Sequence, residues 1–257
     1  MMWGRGTLEV MMTIFFFLFG ITLGSFFNVV GLRVPKKMPF AYDRSFCPSC
    51  HKQLSWFELI PVFSFILQRG KCRTCQQKIS LIYPIIELLT GLLFVLCYLM
   101  IGIELELIIA LLLISMLMIV FVSDITYMLI PNKVLLFFLP LFMMMRVIQP
   151  LDPWWSSITG GTVAFILIAL IIIVSKGGMG AGDMKLFGLL GIVLGLGKVL
   201  LTFFLASLLG ALIGMILLLR KIIKRKQPIP FGPYIIVASI ISYFFGDIII
   251  EWYFSII

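Results

Sequence analysis

Charge is scarce in this sequence: Asp, Glu, Lys and Arg make up only 12% of the 257 residues, about half the share in a soluble globular domain. With 62% apolar residues and a mean hydropathy of +1.18, there is too little polar surface to coat a water-soluble globule. A cytosolic enzyme is excluded, and so is intrinsic disorder, which needs low hydrophobicity. Strict alternation of apolar and polar residues is missing, which excludes an outer-membrane barrel. No A-x-A-like cleavage site follows the first apolar stretch, so that stretch reads as a retained helix rather than a secretory signal. There is no Gly-Lys-Ser/Thr run and no Rossmann-type glycine fingerprint, which leaves nucleotide binding without support. The chain belongs in a bilayer.

What is abundant is apolar sequence in blocks. A membrane-spanning helix takes about 20 mostly apolar residues. Eight stretches qualify at 8–31, 81–102, 107–124, 134–148, 158–175, 184–197, 199–219 and 233–251. The expected fold is therefore an all-α polytopic membrane protein of about eight transmembrane helices. Only residues 32–80 leave room for an extramembrane domain. The division expected is a first helix over 1–31, a cysteine-containing loop over 32–80 and a helical core over 81–257.

The few charges are unevenly placed. If the helices alternate, 17 of the 20 Lys and Arg fall on one side, among them nine in the 32–80 loop and the run Arg220, Lys221, Lys224, Arg225 and Lys226. That is the positive-inside pattern, with this side cytoplasmic and both termini outside. The net charge of +9 thus orients helices, with the lipid bilayer as partner and no nucleic acid.

The loop carries Cys47-Pro48-Ser49-Cys50 and Cys72-Arg73-Thr74-Cys75, 21 residues apart. Two C-x2-C pairs can each supply two thiolates to a tetrahedral zinc ion, giving a closed, structural site with no open position. His51 could replace a ligand, and two disulfides are the alternative, disfavoured by a reducing cytoplasm. Cys97, inside the second span, reads as a packed apolar residue.

Of the eleven Asp and Glu, only Glu87, Asp124 and Asp183 fall at membrane depth, where ionisable groups are costly and mark function. Asp124 closes the third span, before Ile130-Pro131. Asp183 follows the glycine-rich Gly177-Gly178-Met179-Gly180-Ala181-Gly182 and opens the sixth. Both fall at the cytoplasmic ends of their helices. Paired carboxylates that share one proton are what an aspartyl protease needs: one activates water while the other polarises the scissile carbonyl. Gly180 and Gly182 would let a substrate backbone approach, with Lys185 in the same loop. A glycine-rich helix start could instead hold an anion, and two buried aspartates could line an ion path in a transporter, although no inverted repeat supports one.

These motifs, taken in order, resemble the type IV prepilin peptidases, the GxGD aspartyl proteases of bacterial inner membranes. The N-terminal signature is matched by Gly24-Ser25-Phe26-Phe27-Asn28-Val29-Val30-Gly31-Leu32-Arg33-Val34-Pro35. The cysteine pairs, Tyr83-Pro84-Ile85-Ile86-Glu87, Asp124 with Ile130-Pro131, Gly180 through Lys185 and Pro230-Phe231-Gly232-Pro233 follow. The texture is most similar to the competence-type enzymes of Gram-positive bacteria. The resemblance implies cleavage of the basic leader of type IV prepilin-like or pseudopilin substrates, with Asp124 and Asp183 as the dyad. It also implies N-methylation of the new terminus from S-adenosylmethionine. It associates that second activity with the N-terminal region, so Gly70 and the four cysteines carry over to it. Glu87 could contact the cofactor or the substrate amine, or pair with Arg33 or Lys185. Asn28 and Arg33 could serve methylation or act as interfacial anchors. Asp43 and Glu58 are the loop acids available to receive a basic leader.

Overall fold

The computed structural model describes residues 3–39, 45–47, 49–175, 178–222 and 229–256, with side chains from Thr7 onward. Asp43 and the basic positions Arg44, Lys176 and Lys224 to Lys226 lie outside the described residues. Helices α1 (Trp3–Arg33), α2 (Phe63–Leu67), α3 (Ile82–Ile101), α4 (Leu105–Tyr127), α5 (Asn132–Ile148), α6 (Ser156–Val174), α7 (Ala181–Leu219) and α8 (Gly232–Ile256) account for most of them. Extended pairing among the described residues is limited to two isolated bridges in the cysteine loop, Phe46 with Gln53 and Lys71 with Lys78. Among the described residues, six helices are long and apolar enough to cross a membrane: α1 from Thr7, α3, α4, α6, α7 and α8. At 17 residues, α5 is somewhat shorter. The chain is a multi-pass, all-α membrane protein.

The fold divides into two compact units, residues 1–122 and 123–257. In the first, α1 lies against α3 along a seam of small residues. A Cβ at Gly20 would stand 2.7 Å from the Gly91 Cα, and one at Gly24 would stand 2.9 Å from the Glu87 Cα. In lipid, helices gain little by hiding apolar surface from each other, so close backbone approach over Gly-x-x-x-Gly spacings supplies the contact.

In the second unit the decisive feature is α7. Its 39 residues would extend about 58 Å at 1.5 Å per residue, nearly twice a bilayer's hydrocarbon core of about 30 Å. The helix breaks at Gly195, whose φ of 79° and ψ of 175° are not helical. Phe187 and Phe203 lie eight residues to either side of it, yet their ring centroids are 5.9 Å apart. A continuous helix would separate them by about 24 Å. The chain therefore reverses at Gly195, and α7 is a hairpin with arms 181–194 and 196–219. These arms account for the two separate apolar stretches expected at 184–197 and 199–219.

The elbow is held by polar groups that replace the lost helical bonds. Arg146 donates from Nε and Nη2 to the Val193 carbonyl at 3.0 and 2.7 Å. The Leu196 N–H, freed at the start of the second arm, donates to Ser156 Oγ at 3.1 Å. A buried backbone group without such a partner would be expensive in a membrane. Helix α6 runs antiparallel to the first arm, with Gly160 against Gly191 and Phe165 against Gly188. Helix α8 runs antiparallel to the second, with Phe231 and Tyr234 beside Gly210. At the elbow end of α8, Lys198 pairs with Asp247 at 2.7 Å. The starts of α7 and α8 consequently share the end of the unit opposite the elbow.

Candidate active site

Helix α7 begins because Gly180 adopts extended backbone, with φ −78° and ψ 147°, and Asp183 stands three positions on. The Gly180 N–H donates to Asp183 Oδ2 at 3.0 Å. An acidic residue at this position satisfies one of the four orphan N–H groups of a helix start and meets its positive end. The glycine-rich sequence thus has a capping role as well as an open surface.

Asp124 is placed by the opposite end of a helix. Helix α4 closes with Met128 in the left-handed region, φ 52°, its N–H donating to the Asp124 carbonyl at 2.8 Å. Pro131 then precludes continuation and caps α5. The Asp124 side chain reaches the start of α8, where the Gly232 N–H donates to Oδ2 at 2.9 Å. A Cβ at Gly232 would stand 2.5 Å from that oxygen, so only glycine admits the carboxylate.

Both aspartates are buried, Asp124 5% and Asp183 8% exposed. Each has one oxygen tied to the N–H of a helix start. The segments after Asp124 and before Asp183 dock on each other: a Cβ at Gly182 would stand 3.0 Å from Ile130 Cβ, and Lys185 Nζ donates to Asn132 Oδ1 at 3.0 Å. The structure therefore brings Asp124, Asp183, Gly180 and Gly182 together, with Lys185 on the opposite face of α7, bonded to Asn132. Gly232 and Asn132 join them without having been singled out as site residues. Their signals were modest: a glycine directly before the proline of a helix start, and an amide directly after Ile130-Pro131.

A cavity of about 1170 Å³ opens between α5 and α6 over the first arm of α7. Its floor is Lys185, Gly188, Leu189 and Ile192, which at 100° per residue face away from Asp183. Lys185, Asn132 and Arg146 line it, but no carboxylate or imidazole does.

The four loop cysteines form a second cluster. Their Sγ atoms all lie within 4.8 Å of one another, with Cys47 to Cys75 at 3.7 Å and Cys50 to Cys72 at 4.0 Å. Four thiolates about 2.3 Å from a tetrahedral ion stand roughly 3.8 Å apart, so the cluster fits a metal ion, and all four thiols are free rather than paired as disulfides. The two knuckles repeat one geometry. Cys47 N–H donates to the Lys52 carbonyl and Cys72 N–H to that of Gln77, with His51 and Gln76 at φ 56° and 58°. His51 is thus a turn residue outside the cluster, its ring stacked on Phe46. The N–H groups of Cys50 and Ser49 hold the Cys47 thiol below its ordinary range. Those of Cys75 and Thr74 bring Cys72 down to about 6. Donors aimed at sulfur favour the thiolate that a metal requires at Cys47 and Cys72, whereas burial and the three neighbouring thiols push Cys75 up to about 11.

The remaining loop and seam residues make mostly backbone contacts. Glu87 Oε2 accepts the Val62 N–H at 2.7 Å, and Ser25 bonds the same carboxylate; Arg33 is not its partner among the described residues. Arg33 Nη1 donates to the Pro39 carbonyl at 3.2 Å. Gly70, at φ +66°, closes the turn into the second knuckle. Asn28 Nδ2 donates to the Tyr83 carbonyl at 3.2 Å, while its buried Oδ1 has no partner. Asn28 and Glu87 share the α1–α3 seam, whereas Arg33 and Gly70 are engaged elsewhere. Glu58 is not an open acid either. It is buried and accepts the Ser55 N–H at 2.8 Å, and that bond holds its carboxyl below the usual range.

Comparison with known proteins matches residues 18–101 to the Bacterial Peptidase A24 N-terminal domain and residues 111–215 to the Type IV leader peptidase family. The chain is 44% identical over 237 residues to a prepilin leader peptidase/N-methyltransferase of Bacillus subtilis, covering 92% of this chain and 96% of that one. Proteins of the same name from Aeromonas salmonicida and Vibrio cholerae are each 32% identical. They cover 94% and 92% of this chain, and 93% and 98% of their own length. No solved structure matches the chain.

Proposed function

Since the chain belongs to the type IV leader peptidase family, we propose that it cleaves the leader from prepilin-like substrates at Asp124 and Asp183, and then N-methylates the new terminus. The observation that carries the peptidase reading is the matched placement of two buried carboxylates, each with Oδ2 fixed by a helix-start N–H. Two carboxylates close enough to interact favour a state that holds one proton between them. The ionised member takes a proton from water as the oxygen attacks the scissile carbonyl. The protonated member bonds the carbonyl oxygen, and a proton then passes to the departing amine. The fixed oxygens keep the carboxyl planes from rotating during these transfers. Lys185, bonded to Asn132, braces the glycine turn.

The loop over 32–80 and its four cysteines go with the methylation activity in this reading, and the helices that follow go with peptidase activity. We assign zinc to Cys47, Cys50, Cys72 and Cys75. When bound it supplies a closed coordination shell that staples two knuckles too small to hold a core. The methyl donor is S-adenosylmethionine, consistent with the relatives' names. Gly70, Glu87, Asn28 and Arg33 go with that activity in this reading, and no step is routed through them. The charge asymmetry of the sequence supports a cytoplasmic position for the loop and the aspartates, where leader and apolar helix of a substrate meet.

Coexpression with a prepilin tests the dyad. Asp124→Asn and Asp183→Asn should each abolish processing while the protein remains inserted; normal processing in either variant would refute it. The mass of the mature substrate's N-terminal peptide tests methylation separately, because a peptidase without the second activity leaves no added methyl.

A further inference from the structure

Residues 56–67 form the least polar part of the cysteine loop. Their single charge, Glu58, is buried against its own turn. Seven of the twelve are large apolar side chains open to the outside. Trp56 is 78% exposed and Leu67 73%, and Phe63, Ile66 and Leu67, at helical spacings of three and four, line one side of α2. Phe65, by contrast, turns inward against Gly70. A segment surrounded by water would hide such side chains rather than present them.

The position of this segment explains the exposure. The Val62 N–H, at its middle, is bonded to Glu87 Oε2 at 2.7 Å. Glu87 is the sixth residue of α3, about 7.5 Å along the helix from its first residue, and α3 is a membrane-crossing helix from Ile82 onward. Val62 is thereby pinned at the level where α3 enters the bilayer, and α2 begins at the next residue. Exposed cations bracket the segment: Lys52 before it, and Arg69, Lys71 and Arg73 after it. Arg73 also lies 4.8 Å from the Phe57 ring centroid, tying the cationic knuckle to the apolar turn.

We propose that residues 56–67 are seated in the bilayer interface, with Trp56, Phe63, Ile66 and Leu67 among the outer acyl carbons and the flanking cations on anionic phospholipid headgroups. Apolar side chains beside Lys and Arg at the headgroup boundary, with Trp at that depth, are the chemistry of an interfacial anchor. The cysteine knuckles then stand directly on the membrane surface rather than projecting from it.

The test places a photo-crosslinking amino acid at Leu67, at Gln76 in the second knuckle, or at the exposed Leu92 in α3, in the full-length protein. Each variant is reconstituted in vesicles of equimolar phosphatidylglycerol and phosphatidylcholine. Leu92 should give phospholipid adducts, confirming insertion. Leu67 should give them at a comparable yield, several-fold above Gln76 and enriched in phosphatidylglycerol. Lipid labelling at Leu67 no higher than at Gln76, or adducts to protein alone, would overturn the interfacial seat. Equal labelling of the two lipids would overturn its anionic preference. None of these readouts depends on peptidase activity.

Discussion

Replacing Gly232 by alanine is the sharpest test of how the site is built, because it alters neither aspartate. The new Cβ would stand 2.5 Å from Asp124 Oδ2 and 2.8 Å from its carboxyl carbon, well inside van der Waals contact. The carboxylate or the start of α8 must retreat, and the 2.9 Å bond from the Gly232 N–H stretches out of hydrogen-bonding range. A hydrogen bond to a charged group is worth about 1.5–3 kcal/mol. If Asp124 must hold its orientation through the transition state, the loss lowers kcat roughly 10- to 150-fold at 1.36 kcal/mol per decade. The assay is prepilin processing by purified protein in detergent, at saturating substrate, with the thermal midpoint recorded alongside. Gly197→Ala serves as the control, since its Cβ would meet only Ile250 Cδ1 at 3.5 Å; it should leave the rate unchanged. Gly180→Ala should fall between the two, its Cβ lying 3.2 Å from Asp183 Oδ2. A wild-type rate in Gly232→Ala with an unchanged midpoint would refute the claim that this N–H orients the reacting carboxylate.

Other perturbations follow from the same geometry. Arg146→Met leaves the Val193 carbonyl without its two donors, so the thermal midpoint should fall by the equivalent of about 1–3 kcal/mol. Folded protein should carry one zinc per chain by metal analysis. A strong chelator, or Cys72→Ser with Cys75→Ser, should release it and open residues 45–79 to limited proteolysis. The Ser55 N–H lowers the Glu58 carboxyl in the folded loop, so its contribution is complete above the ordinary carboxylate pKa and fades as pH falls through the lowered one. Glu58→Gln should flatten that part of the loop's acid-unfolding curve, followed by proteolysis at fixed metal content. Phosphatase reporters active only outside the cell should be active when joined near Asp152 and silent when joined within 32–80.

Much of this architecture is written in local pattern. The eight apolar blocks are helical because a bilayer leaves the backbone no other satisfied state over such lengths, and even the division of α7 is visible as an interruption near Lys198. Asp124 and Asp183 stand out because charge at that depth is rare. What escaped the sequence depends on partners distant in the chain. Gly232 meets Asp124 across 108 residues, and no local rule distinguishes it from any glycine at a helix start. Glu58 and Glu87 read as available acids, and the loop N–H that each accepts is visible only in the fold. Arg146 reads as an ordinary terminal cation, and only the break at Gly195 gives it a carbonyl to serve.

The reversal at Gly195 also bears on how the protein fits its bilayer. The first arm of α7, residues 181–194, measures about 21 Å, short of the hydrocarbon thickness of about 30 Å. Lipids beside so short an element compress rather than leave its polar ends uncovered. Such compression would bring the headgroup level nearer the elbow, where Arg146 and Ser156 hold the turn, so the short arm favours a bilayer locally thinner than the one its longer neighbours span.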